Sequence, residues 1–140
     1  MGEYNFNGSH GRVKIHISDK RLMMNIEKAQ CYLDNAVLED SNQYVPFRSG
    51  ELRRSGIRNT VIGSGEVKWV TPYAHYQHEG RDMVGTVTKR HYAMQGEPKE
   101  YNGLSLQYHT AGTGSYWFEK ARSVHGKDWV KNVKKIAGGK

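Results

Sequence analysis

Apolar positions change period twice along the chain. Arg12–Ser18 alternates, with Val13, Ile15 and Ile17 on one face and Lys14 and His16 on the other. That period of two predicts a half-buried strand. From Lys20 the period lengthens. Leu22, Ile26, Ala29, Leu33 and Val37 follow at spacings of four, three, four and four, and Met23, Cys31 and Ala36 widen the stripe. One such stripe predicts an amphipathic helix over residues 20–40, capped by Ser18 or Asp19. It reads as core packing rather than as a cofactor box. A second helix is expected over Tyr116–Ile136. There Phe118, Ala121, His125, Trp129, Val133 and Ile136 step by three or four, Gly126 is the place for a kink, and Ser115 is the expected cap.

Between the helices the pattern is shorter-ranged. Pro46 fixes its own φ and biases Val45 towards extended geometry, so the first helix should stop before it. Ser49 can cap a short helix over Gly50–Arg54, with Glu51 in its first turn and Gly56 ending it. Ile57–Ile62 and Val67–Thr71 are β-prone, and Gly63-Ser64-Gly65 between them is a hairpin signal. Thr71-Pro72 should open another helical turn, with Pro72 suited to its first position. Met83–Thr88 is expected as a strand within a long loop over Arg81–Gly103, punctuated by Gly96, Pro98 and Gly103. Leu104–Thr110 alternates once more and Ala111–Ser115 reads as a turn. Met1–Gly11 is polar, with Tyr4 and Phe6 as its only anchors, and is expected to be a loose arm. The fold class implied is α+β: a small antiparallel sheet packed against a long N-terminal helix and a C-terminal helix.

Composition narrows the class. A chain of 140 residues suits one domain, here residues 1–140 with a flexible arm (1–11) and a long loop (81–103). Its 36% hydrophobic content is low for a globule that must stand alone. A small subunit that gains burial by assembly fits better. The net charge of +7 permits contact with nucleic acid or another acidic surface without requiring it. Cys31 is the single cysteine, so no internal disulfide can form. No apolar run is long enough to span a bilayer and the N-terminus lacks a signal-peptide pattern, so a soluble protein made in a cytoplasm is expected.

Catalytic chemistry finds little purchase. His75-x-x-His78-Glu79 puts two imidazoles on one helical face, but the order does not match His-Glu-x-x-His and no third ligand is evident. Gly112-Thr113-Gly114-Ser115 is neither a nucleophile elbow nor a phosphate-binding loop. No catalytic, metal or cofactor residue is therefore assigned. Arg48, Arg53, Arg54 and Arg58 bunch near Ser49, Ser55 and Asn59 and could grip phosphates. A solvated rim, or salt bridges to a neighbouring subunit, is the reading preferred in an assembly. Lys127, Lys131, Lys134 and Lys135 make a similar basic face on the last helix. Trp69, Tyr73, Tyr76, Trp117, Phe118 and Trp129 are expected in the core or at subunit seams. Strand alternation would put Trp69 inside and Lys68 outside.

The middle of the chain also carries a resemblance. Pro46-x-x-Ser49-Gly50-x-Leu52-x-x-Ser55 is followed by Thr71-Pro72-Tyr73-Ala74-x-Tyr76-x-x-x-Gly80, and then, after Gly114-Ser115, by Tyr116-Trp117-Phe118-Glu119-Lys120-Ala121. In that order these segments resemble the tail-completion and minor capsid proteins at the neck of tailed bacteriophages. The resemblance covers Tyr44 to the end of the chain. It implies a structural virion protein, not an enzyme, made in the bacterial host and placed at the head–tail junction. It further implies a ring of six subunits or a multiple, joined to a head-side connector or stopper protein and to a tail terminator or tail tube protein, with passing contact with genomic DNA and none with membrane. Arg81, Lys89, Arg90, Tyr92 and Tyr101, in the extended 81–103 segment, join the four arginines as candidate interface residues. The alternatives weighed against this reading are a basic nucleic-acid-binding module of a mobile element, and a metal-dependent hydrolase with His75 and His78 as ligands.

Overall fold

The computed structural model describes residues 2–8, 11–17, 19–91 and 94–139, the first two stretches as backbone only. Strands β1 (Gly2–Gly8) and β2 (Gly11–Ile17) pair antiparallel, from Gly2 opposite Ile17 to Gly8 opposite Gly11. The expected strand is thus present. The loose arm is corrected: most of it forms β1, using the backbone groups that β2 would otherwise leave unpaired.

Helix α1 (Lys20–Asn42) begins at Asp19, whose Oδ1 accepts the N–H groups of Arg21 at 2.9 Å and Leu22 at 3.4 Å. Helix α4 (Trp117–Ala137) runs unbroken through Gly126. It does not start on a Ser115 cap. Tyr116 sits in the left-handed region at φ 52°, and its N–H donates to the carbonyl of His78. A tertiary bond has displaced the local one. α1 and α4 pack on each other through small and flat side chains, Ala29, Ala121 and Trp129, all buried. Two polar pins fix their register. Trp129 Nε1 donates to Asp40 at 2.6 Å and Asn132 donates to the Tyr32 hydroxyl at 2.8 Å.

Helix α2 (Glu51–Asn59) is longer than its expected single turn. Its N-cap is Gly50, at φ 80°, while Ser49 Oγ accepts the Glu51 N–H at 3.4 Å. Gly56 does not end it. A Cβ at Gly56 would lie 2.6 Å from Trp69 Nε1, so the glycine serves close packing instead. The hairpin expected over Ile57–Thr71 is absent. Residues 60–73 form a connection fastened by side chains: Thr60 Oγ1 accepts Lys68 N–H at 3.1 Å, and Ser55 Oγ accepts Val70 N–H at 3.2 Å. Trp69 is half-buried, donates to Asn42 Oδ1 at 2.8 Å, and meets Trp117 edge-on at 5.9 Å.

Helix α3 (Ala74–Glu79) follows Pro72, and Gly80 ends it at φ 71°. β3 (Arg81–Gly85) and β4 (Lys99–Ser105) then pair antiparallel, with an irregularity between Arg81 and Met83. The expected long loop over 81–103 is corrected to this hairpin, and the strand expected over Leu104–Thr110 lies earlier, at 99–105. The fold is α+β, with antiparallel strands and long N- and C-terminal helices. The strands form two separate two-stranded sheets rather than one. Val45, Leu52, Ala74 and Trp117 make the buried core, with Tyr44, Trp69 and Phe118 packed against it. Removing a side chain the size of Val45 or Leu52 from water contributes about 1.5–3 kcal/mol.

Candidate functional site

The candidate interface residues fall into two groups. On and before α2, Arg53 folds back on the chain. Its Nε donates to the Val45 carbonyl at 3.0 Å and its guanidinium lies 4.9 Å from the Phe47 ring centre. Arg54 and Arg58 both pair with Glu51, and the Arg58 hydrogen bond is the main reason its carboxyl is held below the ordinary range. Arg48 is exposed and bonds to no polar side chain among the described residues. Three of the four arginines therefore already have partners within the chain.

On the β3–β4 hairpin, Arg81 lies over the Tyr101 ring at 4.8 Å, and the Tyr101 hydroxyl donates to Glu79 at 2.5 Å. That bond lowers the Glu79 carboxyl pKa and raises the Tyr101 phenol. Lys89 pairs with Glu100, and Arg90 is exposed. Tyr92 lies outside the described residues. β4 is exposed along its whole length.

Both histidines of the metal-like cluster are turned to carboxylates. His75 Nε2 is 3.4 Å from Glu79, while His78 Nε2 is 3.2 Å from Glu119. His78 also contacts Tyr116 and Trp117 edge-on, at 4.9 and 4.7 Å between ring centres. It thereby locks α3 to the start of α4. Among the described residues no group of three His, Cys, Asp or Glu side chains is placed to hold a metal.

Two features had no counterpart in the pattern of the sequence. The first is an open cleft of about 610 Å³ between α1, the loop around Gly65, α3 and the start of α4. Its walls include Leu33, Val37, Trp69 and Phe118. The second is a set of large apolar side chains left in solvent. Ile57, Val61 and Ile62 cluster in sequence around the end of α2, and Val87, Met94 and Leu104 belong to the β3–β4 hairpin. Single exposed apolar residues are ordinary, but groups of them mark contact surfaces. Gly96, at φ 81°, is a local signal that the segment before β4 turns rather than wanders.

A small α+β chain with paired surface cations, grouped exposed apolar side chains and an open cleft is of the class built to associate. The chain belongs to the phage minor capsid protein family, matching it over residues 10–137. No curated protein and no solved structure matches it. Membership makes it a structural protein of the virion, in contact with other virion proteins. No helix among the described residues is long and apolar enough to cross a membrane.

Proposed function

We propose that this chain is a subunit of a homo-oligomeric ring at the head–tail junction, joining the DNA-filled head to the tail. The observation that carries the reading is the distribution of apolar surface on a minor capsid chain. Its core is small, while the α2 end and the β3–β4 hairpin hold large apolar side chains in water. Such surface is stabilised by neighbours. One face would meet the head-side connector or stopper protein, the other the tail terminator or tail tube protein.

Within this reading Arg48 and Arg90 are the contact cations, since Arg53, Arg54, Arg58, Arg81 and Lys89 have partners in their own chain. The test is removal of the gene from a phage genome. DNA-filled heads and finished tails that fail to join, restored by the chain supplied in trans, are expected. Normal joined particles would defeat the proposal. Cryo-electron microscopy of wild-type particles would then count copies in the ring.

A further inference from the structure

The tip of the β3–β4 hairpin is closed on one carboxylate. Glu97 accepts the backbone N–H groups of Val87 and Thr88, each at 2.7 Å, and of Met94 at 2.8 Å. It also accepts the Thr88 hydroxyl at 3.1 Å. Gly85 leaves the room this needs, because a Cβ there would collide with the Glu97 carboxylate. Two backbone bonds, Thr86 N–H to Pro98 and Gly85 N–H to Arg90, complete the frame. A turn held in this way is preorganised, so little ordering entropy is lost when it meets a partner. What it holds up is apolar: Val87 is 81% exposed and Met94 70%. Arg90, exposed, lies between them in the chain.

The same chain carries a matching recess. The cleft between α1, α3 and α4 has aromatic and aliphatic walls, including Leu33, Val67, Trp69 and Phe118. Glu119, half-exposed, lines it, and Glu66 stands exposed next to the lining residues Gly65 and Val67. The protrusion is apolar with an exposed cation, and the recess is apolar with two acids at its edge, Glu119 beside His78 and Glu66 beside Lys68.

We propose that the hairpin tip of one copy seats in the cleft of the next, with Val87 and Met94 against its walls and Arg90 towards Glu119 and Glu66. Protrusion and recess lie on different elements, so the contact is heterologous, and repetition closes a ring when the rotation allows. The inference rests on the ring reading and gives it a specific joint.

The test uses phage particles assembled from two chains, one carrying Met94→Cys and the other Val67→Cys, both with Cys31→Ser. A short bis-maleimide linker should join the two chains to each other in mixed particles and give no such pair when either is present alone. A ring visible by cryo-electron microscopy without that cross-link would overturn the joint and leave the ring standing. Cross-linking of Met94→Cys to a different virion protein would overturn it too, and particles with only isolated copies of the chain would remove both. As a second arm, Val87→Asp with Met94→Asp should abolish incorporation into particles while circular dichroism and Tm stay unchanged. Normal incorporation of that double variant would also defeat the proposal.

Discussion

The carboxylate of Asp34, buried in α1, accepts the backbone N–H of Gly63 at 2.7 Å across 29 residues of chain. The same oxygen accepts Gly65 N–H at 3.0 Å, while Oδ1 takes the Gln30 amide at 2.8 Å. One acidic side chain thus replaces the ladder that a hairpin over residues 57–71 would have supplied. Asp34→Ala should destabilise the fold by about 2–3 kcal/mol, because the hydrogen bonds from Gly63, Gly65 and Gln30 to one carboxylate are lost together. Urea unfolding of the purified chain measures it. A midpoint equal to wild type would mean that the loop is held by something else.

Gly56 and Trp69 offer a second test, with two effects of opposite sign. Alanine is a better helix former than glycine by about 1 kcal/mol. At this position, however, a Cβ would meet Trp69 Cδ1 at 2.8 Å and Nε1 at 2.6 Å. Overpacking of this kind costs about 1–3 kcal/mol. Moving the indole would also break its bond to Asn42. Gly56→Ala should therefore lower Tm and shift the tryptophan emission to the red. A rise in Tm would show propensity winning and the contact to be soft.

These two cases explain what the sequence made legible. α1 and α4 are readable because their stripes persist over many turns, and parts of both, Ala29, Ala121 and Trp129, are buried where the helices pack. α2 was cut short because Gly56 looks like a stop, and nothing local says that a tryptophan thirteen residues on needs its space. Ile57, Val61 and Ile62 read as strand by their β-branching, yet the bonds that decide the region come from Ser55, Thr60 and Asp34. The 81–103 segment read as loop because its order depends on Glu97 reaching back to Val87 and Thr88. The arginines are visible as a cluster in the sequence, but their engagement by Val45, Phe47 and Glu51 depends on how the chain folds back around α2.

Glu97 gives the hairpin tip a pH signature. Three backbone donors and the Thr88 hydroxyl pull its carboxyl from 4.5 down to about 2. The folded value lies below the unfolded one. Ionisation therefore favours the ordered tip fully above about 4.5, and that contribution is lost as pH falls towards about 2. By NMR, the amide resonances of Val87, Thr88 and Met94 should stay in place from about pH 5 to about pH 3. In Glu97→Gln the same amides should exchange faster at neutral pH. A carboxyl midpoint near 4.5 would show that the tip is not held by this residue.

Arg53 and Arg48 separate folding from contact within one cluster. Arg53 donates to Val45 and covers Phe47, whereas Arg48 is exposed. Arg53→Ala should destabilise by about 1–2 kcal/mol, combining a charge-assisted bond with a cation–π contact. Arg48→Ala should change stability by less than about 0.5 kcal/mol. Thermal unfolding of the pair checks this, and equal losses would contradict the division.

The lysines of α4 bear on whether DNA is a partner in function or only a passing one. α4 gives its inner face to α1, through Ala121, Trp129 and Asn132. Lys127, Lys131 and Lys134, at spacings of four and three, share a helical face with none of those residues, and all are exposed. Dense positive charge directed into a DNA passage would hold phosphates and slow their movement, each neutralised phosphate adding to a salt-dependent attraction. If the chain lines such a passage as the proposed ring requires, it works better with these lysines facing protein or solvent. Replacing Lys127, Lys131, Lys134 and Lys135 by alanine should thus change stability by less than about 0.5 kcal/mol per site. It should leave the DNA content of filled particles, measured by nuclease protection and buoyant density, at the wild-type level. Particles of normal composition that lose their DNA would place the lysine face in the channel instead.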